Sequence, residues 1–203
     1  MKAKRVIILV LALALCGATA AYADDAYDYF RGRKVQVSVN GQLLKTNALL
    51  AVVDNEPKAY LPARDIADQL QAIVKWDEKT QTVHIIKPNV HIWLMYTHKD
   101  GSSRAFGKVE QGSKLDFQIF VQMDNIRTGI HGLRFEIVDP YNNVVYENEK
   151  TYNGRNDATE WLQVPVSMEF RYVGAYRVKM YMKDDPKGDY FLLSEKVFDS
   201  FSK

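Results

Sequence analysis

Cysteine is nearly absent: the 203 residues hold one, Cys16, close to the start. The rest of the chain has no route to a disulfide and must hold its fold by buried apolar area. Long hydrophobic runs are missing as well. The run at residues 6–15 falls short of the about 20 apolar residues that a membrane-spanning helix needs. A surplus of either charge is also absent. Of 27 Lys and Arg, three stand in the first five residues, which leaves 24 against 25 Asp and Glu. That balance argues against nucleic acid or anionic lipid as the main partner. There is no Gly-x-Ser-x-Gly for a nucleophilic serine. The four histidines, His84, His91, His98 and His131, show neither His-x-His nor His-x-x-x-His spacing. Ordinary strand or loop histidines are expected, with no metal and no cofactor.

What is present begins with a leader. Lys2, Lys4 and Arg5 precede the apolar run, and Ala18-Thr19-Ala20 and Ala21-Tyr22-Ala23 are small-x-small cleavage candidates. This reads as a secretory signal peptide over residues 1–23. Cleavage after Ala23 is expected, because Asp24-Asp25 then opens a polar terminus. The protein is therefore expected outside the cytoplasm, secreted or associated with the envelope, with no membrane span after cleavage. Two alternatives stay open: an uncleaved anchor, and a surface lipoprotein acylated on Cys16. Leu15 is larger than the residue that usually precedes a lipidated cysteine.

Residues 24–33 are a polar, Tyr-bearing lead-in without a period. From Lys34 the pattern turns to strands. Val35, Val37 and Val39 alternate into Asn40-Gly41, a pair that tolerates positive φ and suits a two-residue hairpin turn. Residues 49–53 predict a third strand, closed by the turn Asp54-Asn55-Glu56-Pro57. Tyr60-Leu61 predicts a short fourth. Pro62 fits the first turn of a helix, where its missing N–H is not needed. Ile66, Ala67 and Leu70 then share one face of a helix expected over 63–70. Residues 73–76 and 82–86 predict two strands joined by a turn at 77–80.

In this order and spacing, Val37-Ser38-Val39-Asn40-Gly41, Leu61-Pro62-Ala63-Arg64, and Trp76-Asp77 followed by Thr82-Val83 resemble the copper amine oxidase N-terminal-like domain over residues 34–87. The resemblance implies an α+β module of secreted bacterial proteins, a small antiparallel sheet with one helix. It implies no chemistry, since that module is the non-catalytic front end of some amine oxidases, whose copper and quinone belong to another domain. The Asn-Tyr-Asp or Asn-Tyr-Glu triplet that the quinone requires does not occur here. Where the family usually has Gly after the helix, this chain has Gln71. Gln71 is expected either to take a left-handed conformation under strain or to end the helix differently.

Lys87-Pro88-Asn89 is the expected boundary. Beyond it seven strands are predicted, at 90–96, 114–123, 133–138, 144–148, 160–168, 175–182 and 190–197, with Gly, Asn, Asp and Pro turns between them. This pattern predicts an all-β immunoglobulin-like sandwich over 90–203. Leu115, Phe117, Ile119 and Val121 mark one core-facing row, and Tyr176, Val178, Met180 and Met182 another. Val173-Gly174-Ala175-Tyr176 resembles the Gly-x-Tyr strand start found late in many immunoglobulin-like domains.

The candidate contact residues are aromatic. Trp93, Trp161, Tyr141, Tyr146 and Tyr152 lie in or near the strands of the second half. Exposed, they stack on sugar rings or anchor a protein; buried, they are core, the commoner fate of aromatics at strand spacing. Tyr141, Tyr152 and Trp161 are the expected ligand contacts, with Tyr141 and Tyr152 most exposed because they adjoin Asn-rich turns. The carboxylates at 184–189 lack calcium-loop spacing and read as a hairpin turn. The expected function is that of a non-enzymatic binding or structural protein, with a cell-wall polymer or an extracellular protein as partner. A second reading is an inhibitor or regulator of a secreted enzyme, presenting loop 97–104 or 152–159. A third, an enzyme with an unrecognised site, requires His91, His98 or His131 to cluster with carboxylates.

Overall fold

The computed structural model describes residues 32–98, 100–155 and 159–202. The leader with Cys16 and both cleavage candidates lies outside them. The described residues divide into two compact units between Ile66 and Ala67.

The first unit contains β1 (Arg33–Val35), β2 (Ser38–Val39), β3 (Gln42–Leu43), β4 (Ala48–Val53) and β5 (Glu56–Tyr60). β2 and β3 form the Asn-Gly hairpin, with Asn40 at φ 52° and Gly41 at φ 81°, as that turn requires. β1, β4 and β5 form an antiparallel sheet in that order. Asp54 (φ 54°) and Asn55 (φ 66°) make a second two-residue turn, so Val53 pairs directly with Glu56. The expected turn over 54–57 is thus shorter, and Glu56 and Pro57 already belong to β5. Pro57 is tolerated because β5 is an edge strand. Its position opposite Val52, next to the closing pair, turns its nitrogen away from β4.

α1 (Ala63–Gln69) starts at Pro62, whose carbonyl accepts the Ile66 N–H at 3.1 Å. It ends in two reversed bonds, Ala72 N–H to Ala67 O at 2.8 Å and Gln71 N–H to Asp68 O at 3.1 Å. This is a Schellman end, and Gln71 holds its left-handed position at φ 54°. Of the two expectations for Gln71, the strained left-handed one is realised.

Past α1, the second unit continues with the hairpin of β6 (Ile73–Asp77) and β7 (Thr82–Ile86). Packing does not break at Lys87-Pro88-Asn89, the expected boundary. Ile73 is fully buried in the sandwich core and Ile86 packs against it. Lys75 Nζ donates to Thr128 Oγ1 at 2.7 Å and pairs with the Asp184 carboxylate. Lys87 Nζ donates to Leu193 O at 3.0 Å.

The sandwich is built from β8 (Asn89–Thr97), β9 (Ser103–Ala105), β10 (Lys108–Glu110), β11 (Lys114–Asp124), β12 (Ile130–Val138), β13 (Val144–Arg155), β14 (Thr159–Glu169), β15 (Gly174–Lys183) and β16 (Phe191–Phe201). One sheet has the order β14-β11-β8-β9, the other β10-β16-β15-β12-β13. All pairings are antiparallel except β10 with β16. The chain passes repeatedly from one sheet to the other, as in an immunoglobulin-like sandwich. All seven expected strands form. β9 and β10 escaped the sequence reading because three residues are too few to show alternation.

Phe117, Ile119, Val121 and Met123 from one sheet meet Leu133, Phe135, Ile137, Tyr176, Val178, Met180 and Met182 from the other in one core. At one end the rings of Phe106, Phe117, Phe170, Tyr176 and Phe198 cluster with centroids 5.3–6.2 Å apart. The Tyr176 hydroxyl accepts the Tyr172 N–H at 3.1 Å. A tyrosine at the start of a late strand, bonded back to the backbone a few residues upstream, is the tyrosine corner of immunoglobulin-like folds. Gly174 opens that strand at φ 127°, and a Cβ there would stand 3.1 Å from Pro140, so only glycine fits. The Gly-x-Tyr signal in the sequence marks this corner.

Candidate functional site

Alternation along a strand sends every second side chain away from the core. On β8, β11 and β14 the pairing register aligns these outward residues in three rows. The rows are Trp161, Gln122, His91; then Gln163, Phe120, Trp93; then Pro165, Gln118, Met95. None of the nine is Asp, Glu, Lys or Arg. Trp161 is 64% exposed and Trp93 40% exposed. His91 stacks on Trp93 with centroids 5.8 Å apart. Beyond the third row a depression of about 420 Å³ continues the face, lined by Thr97, Asp116, Gln118, Pro165 and Ser167. The carboxylates of β11, Asp116 and Asp124, stand past the two ends of the rows. Asp124 accepts a hydrogen bond from Asn89 Nδ2 at 2.6 Å.

The outer face of the five-stranded sheet is built differently. There Arg134 lies between the rings of Tyr190 (4.4 Å) and Tyr181 (4.9 Å) and pairs with Glu136 at 3.1 Å. Tyr190 OH donates to Glu149 at 2.7 Å. Burial, with help from the neighbouring carboxylates Glu136 and Glu149, pushes the hydroxyls of Tyr181 and Tyr190 up to about 12. Those aromatics are already engaged by the protein's own charges. Among the described residues no cation lies over Trp93, Phe120 or Trp161.

A second exposed aromatic position lies at the β12–β13 turn. Asp139 is almost fully buried there. Its Oδ1 accepts the N–H groups of Tyr141 (2.8 Å) and Asn143 (2.9 Å), and its Oδ2 accepts Asn143 Nδ2 at 3.0 Å. Burial acts to raise its pKa, but these bonds and the nearby Arg177 outweigh it and hold the carboxyl below the usual range. The turn thereby fixes Tyr141, 68% exposed, edge-on to Tyr172 at 5.0 Å. A cleft of about 460 Å³ beside them is lined by Asp139, Asn143, Glu169, Arg171 and Tyr172.

The structure separates the three expected contacts. Trp161 joins Trp93 and Phe120 on the sheet face, and Tyr141 stands at the turn with Tyr172. Tyr152 is neither exposed nor in a turn. β13 runs on to Arg155, and the register shift between Ile130 and Gly132 absorbs Gly154 (φ 69°) as a bulge. Asn153-Gly154, which resembles a turn, is therefore strand, and Tyr152 packs half-buried against the core with its hydroxyl enclosed. Tyr146 is also partly buried and donates to Pro165 O at 2.9 Å. Phe120 and Tyr172 were missed. The signal for Phe120 was its place out of step with the core row Leu115, Phe117, Ile119 and Val121, and the signal for Tyr172 was its place just before the Gly-x-Tyr corner.

Of the two segments expected to present a loop, residues 99 and 156–158 lie outside the described residues. His98 N–H donates to Ser102 O at 2.7 Å, closing a tight β8–β9 connection, and residues 152–155 are strand. Residues 184–189 form a turn held by Lys187 N–H to Asp185 Oδ1 at 2.8 Å. Among the described residues no group of three or more His, Cys, Asp and Glu converges for a metal. His98 instead meets Tyr96 edge-on at 4.7 Å. Among the described residues no helix is long and apolar enough to cross a membrane.

Residues 38–102 match the copper amine oxidase N-terminal domain. The match covers about a third of the chain, from β2 into the β8–β9 connection. The copper amine oxidase N-terminal domain is a non-catalytic module, consistent with a binding or structural part, and no catalytic family is indicated. Solved structures similar to this chain include the CARDB domain of a Pyrococcus furiosus protein in complex with di-metal ions. It is 10% identical with a TM-score of 0.35, over 64% of this chain and 99% of that one. An immunoglobulin-like protein from Pseudomonas aeruginosa is 17% identical with a TM-score of 0.31, over 64% and 98%. No curated protein sequence matches.

Proposed function

We propose that this chain is an extracytoplasmic, non-catalytic binding protein that attaches to cell-envelope material through the outer face of its four-stranded sheet. The observation that carries this reading is the uncharged array around Trp161, Phe120 and Trp93. Two exposed tryptophans flanking a half-buried phenylalanine, set on rigid strands with no cation among the described residues over their rings, suit contact with another molecule. The leader supports an extracytoplasmic location, and the match to a non-catalytic module supports binding rather than turnover. The test is co-sedimentation of the processed protein with isolated host envelopes, with intact-mass analysis of its N-terminus. The wild type is expected to sediment and to begin at Asp24, while the double variant Trp93→Ala/Trp161→Ala stays in the supernatant. Equal sedimentation of both removes the sheet face as the contact. Failure of the wild type to sediment removes the envelope.

A further inference from the structure

The same face carries a statement about ligand class, which rests on the binding reading above. We infer that it takes an uncharged polysaccharide, whose sugar rings lie on Trp161, Phe120 and Trp93 while Gln118, Gln122 and Gln163 hydrogen-bond their hydroxyls. A pyranose ring has an apolar C–H face and a rim of hydroxyls. A flat aromatic ring is the partner for the first. The second needs groups that both donate and accept, and the glutamine amide does both, as Lys, Arg and carboxylate side chains do not. Two of the rings have a Gln opposite them on the neighbouring strand, Trp161 with Gln122 and Phe120 with Gln163, while Trp93 lies beside Phe120.

Charge selects against the other occupants. An anionic polymer requires cations, and the rows have none, while Asp116 and Asp124 close both ends of the central strand. A single-stranded nucleic acid also stacks on aromatics but tracks a positive groove, which this face lacks. Protein contacts of high affinity draw on Arg beside Trp and Tyr within a polar, charged rim, and no Arg stands in the rows. Dimensions select for a polymer. Trp161 and Trp93 are separated by two strand spacings and one two-residue step, about 10 Å across and about 7 Å along, hence about 12 Å apart. Phe120 stands between them. One sugar cannot cover all three rings, whereas a chain of them can, and the depression past Pro165 and Gln118 lets that chain continue.

The test is affinity electrophoresis of the processed protein in gels containing one of three probes. The probes are glucomannan, the neutral protease-treated polysaccharide fraction of the host envelope, and the anionic fraction. Retardation by a neutral probe is expected, unchanged when salt is raised because no ion pairs are involved. Trp161→Ala and Trp93→Ala should each weaken it at least about fivefold, and Gln122→Ala about threefold, on the scale of one lost stacking or hydrogen-bonding contact. Trp161→Tyr should retain most of it, and the melting temperature of each variant reports folding separately. Retardation by neither neutral probe overturns the inference, as does salt-sensitive retardation by the anionic fraction alone. If wild type but not the Trp variants still sediments with untreated envelopes, the sheet-face reading survives and the ligand is protein or charged polymer. Retardation that is equal in wild type and Trp variants removes both.

Discussion

At the scale of single residues, the β12–β13 turn depends on an ionised Asp139. Its carboxylate accepts from two backbone N–H groups and one side-chain amide while almost fully buried, and its pKa is lowered in the fold. A carboxyl with a lowered folded pKa contributes stability that is present above its unfolded value, about 3.9, and is lost as pH falls through the folded value. Thermal melts of wild type and Asp139→Asn, taken from neutral pH down through the carboxylate range, should therefore differ most at neutral pH. The two curves should converge only below the ordinary Asp range; a constant difference at every pH contradicts the ionised role. Tyr176 makes the other single-atom contribution. Tyr176→Phe keeps the ring in its aromatic cluster but strands the Tyr172 N–H, at a cost of about 1–2 kcal/mol. Urea unfolding should show a lower midpoint with an unchanged slope.

Among the elements, α1 shows what its own sequence does and does not fix. Pro62 sets its start, and the apolar spacing gives its extent to within a residue. Its end is set by a reversed bond pair that demands a left-handed residue, and here a glutamine supplies it. Replacing Gln71 with Gly removes the Cβ contact that disfavours this conformation. Part of the gain is offset by the greater freedom of Gly in the unfolded chain, so Gln71→Gly should stabilise by about 1 kcal/mol. A rise in melting temperature checks it, and no rise means that Gln71 carries no strain. Long strands with clean alternation were legible in the same way, β11 and β15 above all. β13 was legible only in its first half, because an Asn-Gly pair reads as a turn whether the chain uses it to reverse or to bulge. The protein also guards this edge strand, with Glu147, Glu149 and Lys150 exposed along it.

Across the whole second unit, the β6–β7 hairpin and the sandwich share a core through Ile73 and a polar tie through Lys75. The Asp184 side chain is nearly buried and Lys75 is partly exposed, so removing the cation leaves a carboxylate without its partner in a dry place. Lys75→Ala should destabilise by about 1–3 kcal/mol. Hydrogen exchange should localise the loss, with protection falling in β6 and β7 before β11 and β12. Restoring a neutral pair with Lys75→Ala/Asp184→Asn should recover part of it. If exchange rises evenly over all strands, the tie acts globally rather than holding the hairpin.

Local sequence determined whatever depends on neighbours along the chain. Asn40-Gly41 specified a turn, Pro62 a helix start, period-two rows the core faces of both sheets, and Gly174-x-Tyr176 a corner, because φ preference and alternation act over a few residues. Tertiary structure alone decided the contact surface. Phe120 lies in the apolar run Ile119-Phe120-Val121, where alternation turns the middle ring away from the core but does not show which other side chains join it. Trp93, Phe120 and Trp161 are far apart in sequence. They become neighbours because β8, β11 and β14 pair in one register, and a shift of that register by one residue would turn each of them to the opposite face.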